Sequence, residues 1–326
     1  MTVSTVATLP DGRVVQRITL QSQGMTAQVL TLGGIVQDLR MDGVAAPLVL
    51  GSPDVAAYLG RARYWGAIVG RFANRIGGGR FALNGRDYQT DQNFLDRHTL
   101  HGGSDGLDQQ IWTVEDLAAD RVTLSVSLPD GHMGFPGNLH VMAEIALHAS
   151  TLAFDFTAET DAPTPCSLAH HGYFNLDGGG DVRHHELWID ADRYLPVDQD
   201  LIPLPGMAPV AGTAFDFRQP RQIGASGYDH NFCLNNGSGQ RETVARLTGR
   251  SGLRMTVTTD APGLQFYDGR HFKAEPGLDG QTYGAHAGVA LETQSWPDAP
   301  NRPDFPDAIL RPGEKYRHSV SYGFNQ

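Results

Sequence analysis

The chain has 326 residues, 40% of them hydrophobic, which suits one large all-β domain or two smaller domains and excludes a disordered chain. Its formal net charge is −11, and the acidic residues are scattered rather than blocked. That balance disfavours nucleic acid, anionic membrane and strongly anionic substrates, all of which select basic patches.

The first ten residues, Met1 to Pro10, lack the basic start and long apolar core of a signal peptide. No segment approaches the ~20 apolar residues that span a bilayer. The expectation is a cytoplasmic protein. Apolar residues then alternate with polar ones over Arg13 to Leu20 and Met25 to Leu32, a strand pattern. Asp54 to Leu59 reads as one short helical turn capped by Asp54. Strands follow over Arg121 to Leu128, Leu139 to His148, Leu152 to Thr160, Leu253 to Thr259 and Lys315 to Phe324. Turn pairs punctuate them at Asp42-Gly43, Asn84-Gly85, Asp130-Gly131 and Asn236-Gly237. Trp296 to Pro312, rich in Pro and Asp, reads as irregular chain before the last strand. Many strands, few helices and short turns predict an all-β chain: a single large antiparallel β-sandwich over residues 1–326. Cys166 and Cys233 are too few for a disulfide framework and favour a reducing compartment.

Several segments carry chemistry. Ile68 to Phe81 contains three consecutive glycines, but the spacing and Lys-Ser/Thr ending of a phosphate loop are missing, so a hairpin turn explains them better. Asn74 and Arg75, in the same segment, offer several donors to sugar hydroxyls or serve a structural role; the local pattern leaves both open. His98 and His101 are three apart, but Gly102-Gly103 argues against a helix and no cysteine or carboxylate has matching metal-ligand spacing. Over Ala169 to Leu176, alternation puts His171, Tyr173 and Asn175 on one face, with His170, Gly172, Phe174 and Leu176 on the other. Adjacent His170 and His171 therefore point apart and do not share a metal. His184 and His185 read as surface residues. Asp229 reads as a turn aspartate, and Gln265 as one amide in the apolar strand Leu264 to Tyr267.

Glu292 has the strongest local case. It follows Val289-Ala290-Leu291, and a buried carboxylate is costly unless it is paired or used. The structural alternative is pairing with an arginine. A histidine that titrates near neutral pH supplies the matching proton donor or acceptor.

The ordered set of segments resembles the aldose 1-epimerase, or galactose mutarotase, family. It comprises Gly-Arg-Phe-Ala-Asn-Arg-Ile at 70–76, Leu-His-Gly-Gly at 100–103 and His-Gly-Tyr-Phe-Asn-Leu at 171–176. Further along are Tyr-Leu-Pro-Val-Asp at 194–198, Gly-Thr-Ala-Phe-Asp-Phe-Arg at 212–218, Asp-His-Asn-Phe at 229–232 and Gly-Leu-Gln-Phe-Tyr at 263–267. It ends with Leu-Glu-Thr-Gln-Ser-Trp-Pro-Asp-Ala at 291–299 and Leu-Arg-Pro-Gly-Glu at 310–314. The resemblance spans nearly the whole chain. It implies a large β-sandwich with the sugar in an open cleft, and interconversion of the α- and β-anomers of a free aldose such as galactose, glucose or a pentose. His171 would match the general acid, Glu292 the general base and His101 a second active-site histidine. Asn74, Arg75, Tyr173, Asp229 and Gln265 would hold the sugar. The resemblance implies no cofactor or metal, a monosaccharide as partner, and a monomer or homodimer in carbohydrate metabolism.

Two departures bear on substrate preference. The family often has Asn-His-Ser where this chain has His170-His171-Gly172, and Asp268 to Tyr283, with Arg270, His271 and Lys273, departs from its usual Gly-Asn-Phe-Leu. Three other readings compete: a non-catalytic sugar sensor, a hexose-6-phosphate 1-epimerase and a carbohydrate hydrolase or lyase. The first would not need an acid–base pair, the second lacks an obvious arginine cluster, and a glycosidase usually needs two carboxylates.

Overall fold

The computed structural model describes residues 2–235 and 239–326. Among them, helical structure is confined to short 3-10 turns; everything else regular is strand. The reason is visible in Leu139–His148, where Leu139, Val141, Ala143, Ile145 and Leu147 are buried while His140 and His148 are exposed. A period of two can bury one side of a sheet but not one side of a helix. Fully burying each of its valine, leucine and isoleucine side chains contributes about 1.5–3 kcal/mol.

Nine antiparallel strands make the larger sheet. Its order is Thr113–Leu117, Arg121–Leu128, Leu139–His148, Thr151–Thr160, Tyr316–Asn325, Arg254–Thr259, Glu242–Thr248, Glu186–Ile189 and Arg221–Gln222. The C-terminal strand thus lies at the centre, between Thr151–Thr160 and Arg254–Thr259. A six-stranded sheet follows the order Tyr173–Phe174, Val289–Gln294, Gly263–Tyr267, Asp229–Cys233, Arg193–Tyr194 and Ala208–Pro209. A four-stranded meander from Thr2–Thr8 to Val36–Met41 packs on the larger sheet. One apolar core joins all three, with Ile18, Leu39, Val141, Phe154, Leu264, Leu291 and Tyr322 packed together. A smaller cluster holds Trp65, Tyr173, Tyr283 and Ala290.

The expected short helical turn forms at Val55–Leu59, and Asp54 caps it by accepting from the Ala56 amide at 3.0 Å. Asn84-Gly85 turns the hairpin Arg80–Leu83 to Arg86–Gln89. Asn236-Gly237 lies outside the described residues. Between Trp296 and Pro312 the chain is irregular apart from a 3-10 turn and the two-residue strand Ile309–Leu310. Two expectations fail here. Asp229 is not a turn residue but the first of the strand Asp229–Cys233. His185 is not a surface residue but completely buried, because its Nε2 accepts the Leu176 amide at 3.0 Å. No described helix is long and apolar enough to cross a membrane. Cys166 and Cys233 are free and buried.

Candidate active site

The six-stranded sheet positions most of the site. Gly263–Tyr267 lies between Asp229–Cys233 and Val289–Gln294, with Gln265 opposite Asn231 on one side and Glu292 on the other. Val289 and Leu291 point into the main core, so alternation sends Glu292 to the opposite face. Tyr173–Phe174 pairs with Ala290 and Val289, while Ala169–His171 pairs with Ala67–Val69. The break at Gly172 leaves His171 and Tyr173 both beside Glu292. His170 goes to the other side and stacks on Phe154 at 4.2 Å. Asn175 does not join the site; its amide donates to the Ala287 carbonyl at 2.8 Å.

A second group comes from the short pairing of Arg75–Ile76 with Thr99–Leu100. It brings His101 against Asn74, where His101 N donates to Asn74 O at 2.9 Å and Asn74 N donates to His101 Nδ1 at 3.1 Å. Gly102 makes this turn possible. Its φ is +86°, and a Cβ there would lie 2.1 Å from the Gly70 carbonyl oxygen.

These segments enclose a cavity of about 260 Å³, lined among others by Asn74, Arg75, His101, His171, Tyr173, Asp229 and Glu292. Gln265 is set behind the lining and donates to Asp229 at 2.5 Å. Arg75 donates to the other Asp229 oxygen at 3.0 Å, and its guanidinium carbon sits 4.7 Å from the Phe94 ring centre. Burial alone would raise the Asp229 carboxyl. The Arg75 charge and the hydrogen bonds from Gln265 and Arg75 outweigh it and hold Asp229 below the usual carboxylate value. One end of the cavity is therefore a fixed ion pair with many donors and acceptors.

The other end holds the His171–Glu292 pair. His171 Nε2 lies 3.5 Å from Glu292 Oε1, and Glu292 makes no arginine ion pair among the described residues. Burial, then the Asp229 charge, pushes the Glu292 carboxyl well above its ordinary value. Burial pulls His171 down to about 4. Both shifts disfavour the charged forms. The Glu292 Oε2 atom is buried without a hydrogen bond inside the protein.

His101, His171 and Glu292 bring three ligand atoms within 4.8 Å of one another, so a metal has to be considered. The His101 tautomer argues against it. Nδ1 accepts from Asn74, which puts the ring proton of neutral imidazole on Nε2 and leaves that nitrogen a donor, not a ligand. Burial, aided by the neighbouring His171, Arg75 and Arg63, pulls this ring well below its ordinary value.

The sequence reading missed Tyr64, Phe94, Leu201 and Tyr267 as lining residues. They sit in turns or at strand ends, where no periodicity points inward. Of the departing segment, His271 reaches the cavity, whereas Arg270 packs against Gly227, where a Cβ would meet its Nη1 at 2.1 Å.

Residues 16–323 match the family model described as aldose 1-epimerase. A galactose mutarotase of Rattus norvegicus is 40% identical, with 96% of this chain and 95% of that protein covered. An aldose 1-epimerase of Escherichia coli K12 is 35% identical, with 98% of each covered. The crystal structure of a galactose 1-epimerase from Lactobacillus acidophilus superposes with a TM-score of 0.87 at 31% identity, covering 99% of this chain and 98% of that one. The match runs the length of the fold and through every segment that lines the cavity: the chain belongs to the aldose 1-epimerase family.

Proposed function

We propose that this protein interconverts the α- and β-anomers of a free aldose, with residues 1–326 acting as one catalytic unit. The observation that carries the reading is the buried His171–Glu292 pair, 3.5 Å apart, at one end of a monosaccharide-sized cavity. Family membership and the 35–40% identical mutarotase and epimerase relatives support the same reaction.

The reaction needs no redox step and leaves every carbon-bound proton in place. Ring opening takes the proton from the anomeric hydroxyl and delivers one to the ring oxygen. Rotation about C1–C2 turns the aldehyde over, and closure reverses the two transfers. In the proposed assignment ionised Glu292 is the base and protonated His171 the acid. After opening, Glu292 carries the proton and His171 is neutral. That is the state favoured by burial in the unliganded protein, so the site is electrostatically matched to the open-chain aldehyde. A ring sugar favours the ion-pair form: the Glu292 proton passes to His171, 3.5 Å away, and the freed carboxylate accepts the anomeric hydroxyl. Each positioned acid or base contributes roughly 10²–10⁴ in rate.

His101 donates through Nε2 to an oxygen on which charge develops. Asn74, Arg75 and Asp229 grip the remaining hydroxyls, Gln265 holds Asp229 in place, and Tyr173 packs against the sugar. The pairing of a neutral acid–base couple with a single arginine favours an unphosphorylated sugar. The proposed setting is the cytoplasm, in keeping with two unpaired cysteines.

Polarimetry of freshly dissolved α-galactose, α-glucose, α-xylose and α-arabinose, with and without the protein, tests this. At least one should equilibrate faster. No acceleration with any of them would refute the assignment.

A further inference from the structure

Tyr64 is a bulky residue whose backbone lies in the left-handed region, at φ +71°. Such a conformation is a genuine outlier for an aromatic side chain and persists only where its surroundings enforce it. The enforcement is visible. The Ala67 amide donates to the Tyr64 carbonyl at 3.1 Å, and the Gly66 amide donates to the carbonyl of His171 at 3.0 Å. The turn is thereby tied to the backbone of His171 itself.

The ring goes where that turn sends it. It stacks on His171 with centroids 5.8 Å apart and planes 20° apart, and lies 4.7 Å from the His101 ring. His101 and His171 meet edge to face at 5.1 Å. The three rings thus pack as one block. The Arg63 guanidinium carbon lies 4.8 Å from the Tyr64 ring centre. Arg63 is in turn fixed by buried Asp108 at 2.8 Å and by the carbonyls of Gly103 and Ser104, both at 3.0 Å. Those carbonyls belong to the loop that carries His101.

We propose that Tyr64 is a positioning residue that sets the ring planes of His171 and His101 relative to Glu292, with Arg63 and Asp108 as its support. The inference rests on the acid–base reading of His171 above. It follows from the constraint the His171 ring lacks; His101 is already held through Nδ1 by the Asn74 amide, and Tyr64 packs against it. His171 meets Glu292 at a long 3.5 Å, so this contact alone does not fix its orientation; an adjacent aromatic face does. A misplacement of about 1 Å costs a catalytic group roughly 10² in rate. The ring face also favours the imidazolium that forms during turnover.

The test is a cycle on the full-length protein, with kcat and KM measured for whichever aldose the wild type turns over fastest. Tyr64→Leu should lower kcat about tenfold to a hundredfold while KM stays within about threefold. Tyr64→Phe, which keeps the ring, should recover kcat to within about threefold. In a His171→Asn background, Tyr64→Leu should add little further loss, because its effect passes largely through that ring. Arg63→Gln is the second probe if Tyr64→Leu does not fold; it should lower kcat about threefold to tenfold with KM held.

Five outcomes would overturn the proposal. KM could rise with kcat intact, which would make Tyr64 a sugar-stacking surface. Tyr64→Phe could be as impaired as Tyr64→Leu, which would assign the effect to the hydroxyl. The loss could be equally large without His171, which would place it elsewhere. Wild-type turnover by His171→Asn would remove the acid–base reading and this proposal with it. Wild-type kcat in Tyr64→Leu beside an inactive His171→Asn would remove the proposal alone.

Discussion

Replacing Gly172 with serine should be tolerated only if His170 is replaced as well. The φ of Gly172 lies outside the left-handed region, so its backbone admits a side chain; the obstacle is space. A Cβ would stand 2.5 Å from His170 Cε1, 3.1 Å from His170 Nε2 and 3.1 Å from Phe174 Cζ. His170 has little room to yield. Its ring stacks on Phe154 at 4.2 Å and meets Tyr322 at 5.5 Å, with Nδ1 3.3 Å from the Tyr322 hydroxyl. Overpacking of this kind costs about 1–3 kcal/mol. At roughly 2–4 °C per kcal/mol for a large domain, Tm should fall by about 2–12 °C. His170→Asn alone leaves a hole and should also destabilise, by about 1–3 kcal/mol. The double variant fills part of that hole and removes the clash, so it should beat the sum of the singles by at least about 1 kcal/mol. Urea unfolding of the four proteins, read by linear extrapolation, measures this interaction energy. The kcat of Gly172→Ser should fall too, since His171 lies between the two positions, and should recover in the double. Additivity within about 0.5 kcal/mol would show that the two positions are not sterically coupled and would refute the argument.

Glu292→Gln keeps the shape of the side chain but cannot take the proton; kcat should drop by at least about 10² with a smaller change in KM, and a wild-type rate in the folded variant would sink the mechanism. Asp229→Asn weakens a charge-assisted network with Arg75 and Gln265 worth about 1.5–3 kcal/mol, so KM should rise roughly tenfold to a hundredfold; an unchanged KM would remove Asp229 from the binding end. The active His171–Glu292 pair holds one proton. The rate should therefore fall as pH drops through about 4, where His171 takes a second proton, and fall again as the raised Glu292 value is exceeded and the pair loses its only one. The two limbs belong to the pair rather than to either residue, and a profile with a single limb would contradict the shared proton. Because His101 presents an N–H rather than a lone pair, treatment with EDTA should leave the rate unchanged; a loss reversed by a divalent ion would overturn the tautomer argument.

Particular residues show what a linear reading can and cannot reach. Alternation alone put His170 and His171 on opposite faces, and one ring is in the core while the other lines the cavity. The same pattern placed Asn175 with His171, yet Asn175 turns to hold the Ala287 carbonyl. The strand breaks at Gly172, and periodicity does not survive a break. His185 looked exposed because a histidine pair before a strand carries no burial signal; its role as acceptor for Leu176 depends on how a 3-10 turn folds back. Tyr64 had no signal at all. Its position depends on a left-handed turn tied to the backbone of a residue more than a hundred positions away.

Two things were determined by the sequence alone. The period-two burial of segments such as Leu139–His148 dictates sheets, because only a strand alternates its faces. The placing of Glu292 straight after Val289-Ala290-Leu291 dictates a carboxylate that must be buried and therefore perturbed. The tertiary structure decided which groups meet that carboxylate. His171 and His101 come from separate segments, and their separations, 3.5 Å from His171 to Glu292 and 5.1 Å between the two histidine rings, arise from strand register and tight turns. Long-range pairing of this kind is fixed by the packing of the whole core, so no local window of sequence contains it.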